Sequence, residues 1–490
     1  MAARSSKILF VVIGSSLLGL AAVVYFGGSN DGVMIARYNT LAQDFSARTY
    51  PRPEAPPGAL ERSGSATEKY REVYDLYLET AGSDARTRLE DYLDSKWADA
   101  STGPSSDSGE GPGEVCLAMG VGPELDAVTK GLSDGVCATI EKLKGVRGLV
   151  ADASQRGGPR SPIPLYDDWS CDRPHSTRNI KPLINASKIA LLLARIDDSG
   201  HQSAIETIAA AARMGVDISK GSGLIGAMVG AVITRNALTE LSARLVAPDL
   251  KLKDAELALA HILYLQKDRF DAKAAFEGEY LVMGTLAIKE ALNAPCSAMA
   301  EAVSDLSFYD RYLLRDAARA NDQFMEEYLA SFDRGFADRE ALFERAQEAS
   351  LRSFNPIRQI ATPDMTAYEK RLVLVGLQTD MAALLAAARI HQLKHQRQAG
   401  NLEALEEILG SAVGEDPFVG GKPSAVVLGD GSLEITSNVF KKKGPDHLSG
   451  SFDRAVMEEL QITLPLLAAP APPPEPGSPP AAPMKPAAAP

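Results

Sequence analysis

The sequence predicts a mostly α-helical protein with an N-terminal transmembrane helix, a body of irregular, tetratricopeptide-like helical hairpins, a small C-terminal β-hairpin and a disordered Pro/Ala tail. Three observations carry that prediction. Ala and Leu are abundant while aromatics make up only 6% of the 490 residues, a balance that favours helix packing over a β-sandwich. Apolar residues recur at three- and four-residue steps through most of the chain from 66 to about 410. Beyond 416 the period changes: an apolar run at Ala425–Leu428, a Gly429-Asp430-Gly431 turn and an alternating run at Ser432–Ser437 read as a hairpin.

The elements follow in order. Arg4 and Lys7 precede an uncharged run of 19 residues, Ile8 to Phe26, long enough to cross a bilayer as a helix. Residues 1–7 are then a cytoplasmic tail and 8–26 a retained anchor, because the positive flank stays inside. The expected topology is single-pass, with the bulk of the chain outside the cytoplasm. A cleaved signal peptide and a buried core helix are the other readings of the same run. No other stretch holds 18 consecutive apolar residues. Residues 27–65, with "YPRPEAPPGA", read as an extended tether. Residues 66–99 are helical by pattern, with a break at "AGSD", and 100–114 are a disordered loop without an apolar residue from 101 onward.

Residues 115–412 form the helical body. Its clearest pair is "LINASKIALLLARIDD" and "HQSAIETIAAAARMG", joined at Gly200, with the Ala-rich second helix suited to close approach. Further helices are predicted over 222–246, 253–269, 271–292, 296–331, 336–352 and 366–398. Residues 413–464 hold the hairpin, and 465–490 are the Pro/Ala-rich tail. A net charge of −13 without a basic domain argues against a nucleic-acid partner. Cys116, Cys137, Cys171 and Cys296 are an even set in an oxidising space. Cys116 and Cys137 are the preferred disulfide, and four buried thiols are the other reading.

Three stretches carry a resemblance: "YDDWSCDRPHSTRNIKPLINASKIALLLARIDDSGHQSAIETIAAAARMG", "LIGAMVGAVITRNALTELSARLV" and "AARIHQLKHQRQAGNLEALEEILGSAVGEDPFVGGKP". In that order the chain resembles uncharacterised membrane-anchored helical envelope proteins of planctomycete and myxobacterium type, which end in a DPF-x-G-x-P segment with a small hairpin. The resemblance implies a bacterial envelope protein, anchored in the inner membrane by a single pass with its bulk periplasmic, and supplies no catalytic residues. "DPFVGGKP" is also similar to the C-terminal segment of secretion pseudopilins, but Lys441, Lys442 and Lys443 stand where calcium-binding members are acidic.

Three groups are candidate sites. Gly221, Gly223 and Gly226 have the G-x-G-x-x-G spacing of a dinucleotide fingerprint, which needs a preceding strand and an acidic residue about 20 positions on. "VDIS" is a poor strand, and Glu240 lies on a continuing helix. Gly223, Gly226 and Gly230 therefore read as the small-residue face of a packed helix, and no cofactor is expected. His391 and His395, at i and i+4, lack the glutamate of an HExxH site because Gln392 takes its place, so they read as a surface helix without metal. In "YDDWSCDRPH", Asp167, Asp168, Asp172 and His175 are of the types that act as acid, base or hard-metal ligand, while Trp169 and Pro174 suggest an ordered loop. The function that fits best is a membrane-anchored binding or scaffold protein, held by 8–26, with a protein or peptide partner. The alternatives are an extracytoplasmic hydrolase using 166–175 and an accessory component of a secretion or pilus-like assembly.

Overall fold

The computed structural model describes residues 33–54 (without 35 and 46), 62–80, 142–156, 181–196, 200–291, 308–358 (without 357), 365–443 and 460–466. Over these residues the chain is mostly helical. The helices are α1 (Ala66–Thr80), α2 (Gly145–Ser154), α3 (Lys181–Ile196), α4 (His201–Ser219), α5 (Gly223–Leu245), α6 (Leu252–Lys267), α7 (Ala272–Ala291), α8 (Phe308–Ala330), α9 (Phe336–Leu351), α10 (Met365–His395) and α11 (Leu402–Leu409). Strands β1 (Ser424–Val427) and β2 (Leu433–Thr436), the short helix α12 (Asn438–Lys443) and strand β3 (Gln461–Leu464) complete the order.

The centre is built on α5 and α10. Both are long and apolar enough to cross a membrane by length and composition, and 78% and 83% of their most apolar windows are buried in the fold. A helix apolar on every side needs partners on every side. Here α4, α6 and α11 supply them through Ile205, Ile208, Ile262, Leu265 and Leu405. A second cluster joins α1 and α2 to α3 and α4 through Tyr70, Tyr77, Val146, Val150, Ile189 and Met214. A third is aromatic: Phe276 of α7 meets Tyr328 of α8 edge-on at 5.1 Å, and Phe324 and Phe343 pack beside them.

The C-terminal strands form an antiparallel sheet in the order β1-β2-β3. Ala425 pairs with Ile435, and Ile435 with Ile462, while Leu433 and Ile435 are fully buried. The hairpin lies where its turn residues put it, with Gly431 at φ 82°. Strand β3 carries no turn signal linking it to β2, and it docks because Gln392 and Gln398 donate to the carbonyls of Pro465 and Leu464 at 2.8 and 3.1 Å.

Two parts of the body differ from the sequence reading. Within the stretch read as an extended tether, residues 33–54 lie on the body, helical over 36–45, with Met34, Tyr38, Phe45 and Tyr50 buried. The prolines of "YPRPEAPPGA" suggested extension. Yet Met34, Tyr38, Leu41 and Phe45 fall at helical spacing, and their side chains find an aromatic cluster to enter. The polar end of α10, read as a surface helix, is buried through Gln392, with Arg389 at 1% and His391 at 9% exposure. Carbonyls and amides there replace water: Arg389 donates to Ala247 O and Gln392 Oε1 at 2.5 and 2.6 Å. The anchor 8–26, the loop 100–114, the tail beyond Leu466 and all four cysteines, Cys116 and Cys137 included, lie outside the described residues.

Candidate functional site

The glycine stretch follows a helix. Ser219 ends α4, and Gly221 and Gly223 turn the chain at φ 72° and 68°, conformations that a side chain strains. No strand delivers the first glycine, so the phosphate-binding turn is not assembled. Beside the start of α5 instead lies the Glu279 carboxyl of α7, close to the Leu224 backbone and with its Oε2 buried without a hydrogen-bond partner. Burial pushes the Glu279 carboxyl above the usual carboxylate range, and the nearby Leu224 backbone opposes this. Gly278 lets α7 come this close, for a Cβ there would stand 2.8 Å from Gly223 Cα. Farther along α5, a Cβ at Gly230 would land on the Gly215 carbonyl oxygen of α4. Gly226 is buried on the same helix.

The densest titratable network sits at the same C-terminal end of α4, beside the glycine turn. Asp217, 3% exposed, accepts from Arg52, with which it is ion-paired, and from Tyr70 Oη at 2.7 Å. Arg52 also donates to Ser154 O at 2.7 Å. One turn back, Arg213 stacks over the Tyr264 ring at 4.3 Å and contacts His261 Nδ1 at 2.9 Å. Burial, and then the Arg213 charge, lowers the His261 pKa to about 3. His261 is therefore a neutral acceptor at Nδ1, its proton on Nε2, which has no hydrogen-bond partner. Lys220 closes the network on Asp268 at 3.4 Å and on Arg269 O at 2.6 Å. Asp217 and Arg52 are engaged with each other inside the protein, an arrangement that holds elements together.

An open groove of about 240 Å³ lies between α8 and α9. Phe324, Leu342 and alanines supply about half of its lining; Glu327 stands on the α8 side, Arg345 on the α9 side and Arg358 just beyond α9. Gln323 donates to Glu327 at 3.2 Å, and Arg345 spends only Nε, on Ala341 O at 3.2 Å. Neither charge is in an ion pair with another described residue. At the C-terminal end of α9, Leu351 is 64% exposed and Phe354 fully so. Such apolar exposure beside a cleft marks a contact surface more than a catalytic one.

Asp167, Asp168, Asp172 and His175 lie outside the described residues. The His391 and His395 rings are 4.6 Å apart, with His391 Nδ1 3.2 Å from Arg397 O. Among the described residues no three potential ligands gather for a metal ion. The groove escaped the sequence because alanine and solvated charge line it, which no motif marks. The buried network escaped because its members come from five segments, one of them read as a tether. Compared with known proteins, the chain matches no family model, no curated protein and no solved structure.

Proposed function

We propose that this protein is a single-pass, membrane-anchored helical module that takes a peptide segment of a partner protein outside the bacterial cytoplasm. The observation that carries the reading is the α8–α9 groove, which mixes apolar and polar lining and holds the Glu327 carboxylate and the Arg345 guanidinium outside any ion pair between described residues. A peptide satisfies such a surface with one apolar side chain and one or two charges. The apolar run 8–26 behind Arg4 and Lys7 supports the anchor and the orientation. The α3–α4 pair, turning at Gly200 with φ 108° into an Ala-rich helix, supports hairpins of tetratricopeptide type.

A peptide-array screen with the purified full-length chain in detergent tests this. The expected result is a set of binding peptides whose signal falls at least about tenfold when Arg345→Glu and Leu342→Asp are introduced together, the loss of one charge contact and one apolar contact. An empty array, or peptides that bind the double variant equally well, refutes the reading.

A further inference from the structure

Segment 33–54 is tied down at three points, each an arginine on carboxylates of which only Glu326 is exposed. Arg37 meets Asp322 at 2.9 Å and Glu326 at 2.9 Å, Arg48 meets Glu277 at 2.5 Å, and Arg52 meets Asp217. Between these points Tyr38 donates to Leu281 O at 3.0 Å, and Met34 and Phe45 enter the aromatic cluster of Phe276, Tyr280 and Tyr328. The segment is thus a strap fastened along the body from α8 to α4.

We infer that the strap holds the α8–α9 groove in the membrane-proximal zone, so that the groove takes a segment presented at the bilayer surface by a second membrane-anchored protein. This rests on the anchor and groove readings above. The argument is one of reach. Only residues 27–32 separate Phe26, the end of the apolar run, from Val33. Seven Cα steps cannot span more than about 25 Å, however extended. Arg37 then lands on Asp322 and Glu326 of α8, which alternate along that helix with the groove residues Asn321, Gln323, Phe324 and Glu327. One helix diameter, about 10–12 Å, separates the strap side of α8 from its groove side. With the four residues from Val33 to Arg37 and the Arg37 side chain adding about 6 Å each, the groove lies within roughly 50 Å of the end of the apolar run. An apolar tether end, Val33 at 60% exposure, points the same way. The fitting occupant is a peptide with an apolar side chain for Phe324, a carboxylate for Arg345 and a cation for Glu327.

The test uses the full chain in phosphatidylcholine vesicles, with a donor dye amino acid at Leu351 or at Gln202 and an acceptor on lipid headgroups. Gln202 sits 15 residues, about 22 Å, up α4 from the strap's last fastening at Asp217. Flotation with the vesicles reports the anchor by itself. Energy transfer from position 351 is expected to exceed that from 202, and the difference is expected to vanish when roughly forty Gly/Ser residues are inserted after Gly32, which lengthens the reach and leaves the strap docked. Equal transfer from both positions in a chain that floats overturns the inference and spares the anchor. A chain that does not float overturns both, while the array screen still judges the groove. A photoreactive residue at Ala349 decides the occupant. Adducts to a membrane-anchored protein in intact cells, lost on the linker insertion, support the peptide; adducts to lipid in protein-free vesicles overturn it.

Discussion

Replacing Gly230 by Ala isolates the closest contact in the body. The added Cβ would fall on the Gly215 carbonyl oxygen, 3.1 Å from Ser219 Cβ and 3.2 Å from Gly215 C. Two of those three atoms belong to backbone, so no rotamer relieves the clash and α4 and α5 must move apart. Overpacking of this kind costs about 1–3 kcal/mol. Separation also stretches the bond that Thr234 Oγ1 donates to Ala212 O at 3.2 Å, worth about 0.5–1.5 kcal/mol. Against this stands a gain in helix propensity of up to ~1 kcal/mol. The net loss is about 2–3 kcal/mol, a fall in Tm of roughly 4–12 °C at ~2–4 °C per kcal/mol. Gly376 in α10 is the matched control, because a Cβ there meets no atom within 4 Å and only the propensity gain remains. Thermal scans by circular dichroism on the full chain in detergent should lower the midpoint for Gly230→Ala and raise it by roughly 1–4 °C for Gly376→Ala. If Gly230→Ala melts at or above the parent temperature, the two helices are not packed backbone to backbone and the reasoning fails.

Asp217→Ala strands Arg52 and Tyr70 inside the protein, so it should cost about 3–5 kcal/mol in urea unfolding and open residues 48–54 to limited proteolysis. His261 has a folded pKa near 3 against an ordinary 6.5, so the unfolded chain takes up the proton first. Its contribution to stability is complete above about pH 6.5 and is lost as pH falls towards 3; His261→Asn, which keeps an acceptor for Arg213, should flatten urea midpoints across that window. Glu279 shifts the other way, its carboxyl raised by burial, so Glu279→Gln keeps an acceptor beside the Leu224 backbone and should unfold at higher urea than the parent at neutral pH. Phe354→Ser, at a fully exposed position, should leave stability within about 0.5 kcal/mol of the parent while weakening capture of array peptides.

How much of this was legible depended on whether a feature was local. The helices α5 to α10 and the hairpin of β1 and β2 follow from apolar spacing and from turn chemistry at Gly429-Asp430-Gly431, both properties of consecutive residues. The strap was legible too, in the spacing of Met34, Tyr38, Leu41 and Phe45, but the prolines that follow it weighed more in the reading. Other features had no local signal. Arg389 looks like a solvated charge in "RIHQLKHQRQ", and only the arrival of Ala247 O, 142 positions away in sequence, makes its burial tolerable. Likewise Asp217 acquires meaning only when Arg52 and Tyr70 are brought to it from segments far along the chain.

The glycine stretch shows why the spacing of a motif is weaker information than the element that precedes it. A helix N-terminus attracts an anion whether or not a nucleotide is involved, because its first N–H groups lack intrahelical partners. In a dinucleotide fold the strand before the first glycine aims that end at an open crevice. Here a helix precedes it, the turn through Gly221 and Gly223 aims α5 at α7, and the Glu279 carboxyl of the same chain lies beside its first residue. The space beside it is filled. Gly278 touches Gly223 on one side, and the Phe45 ring of the strap would stand 3.1 Å from a Cβ at Gly278 on the other. Of the three glycines that suggest a ligand site, Gly223 therefore helps to seal the junction of α5, α7 and the strap.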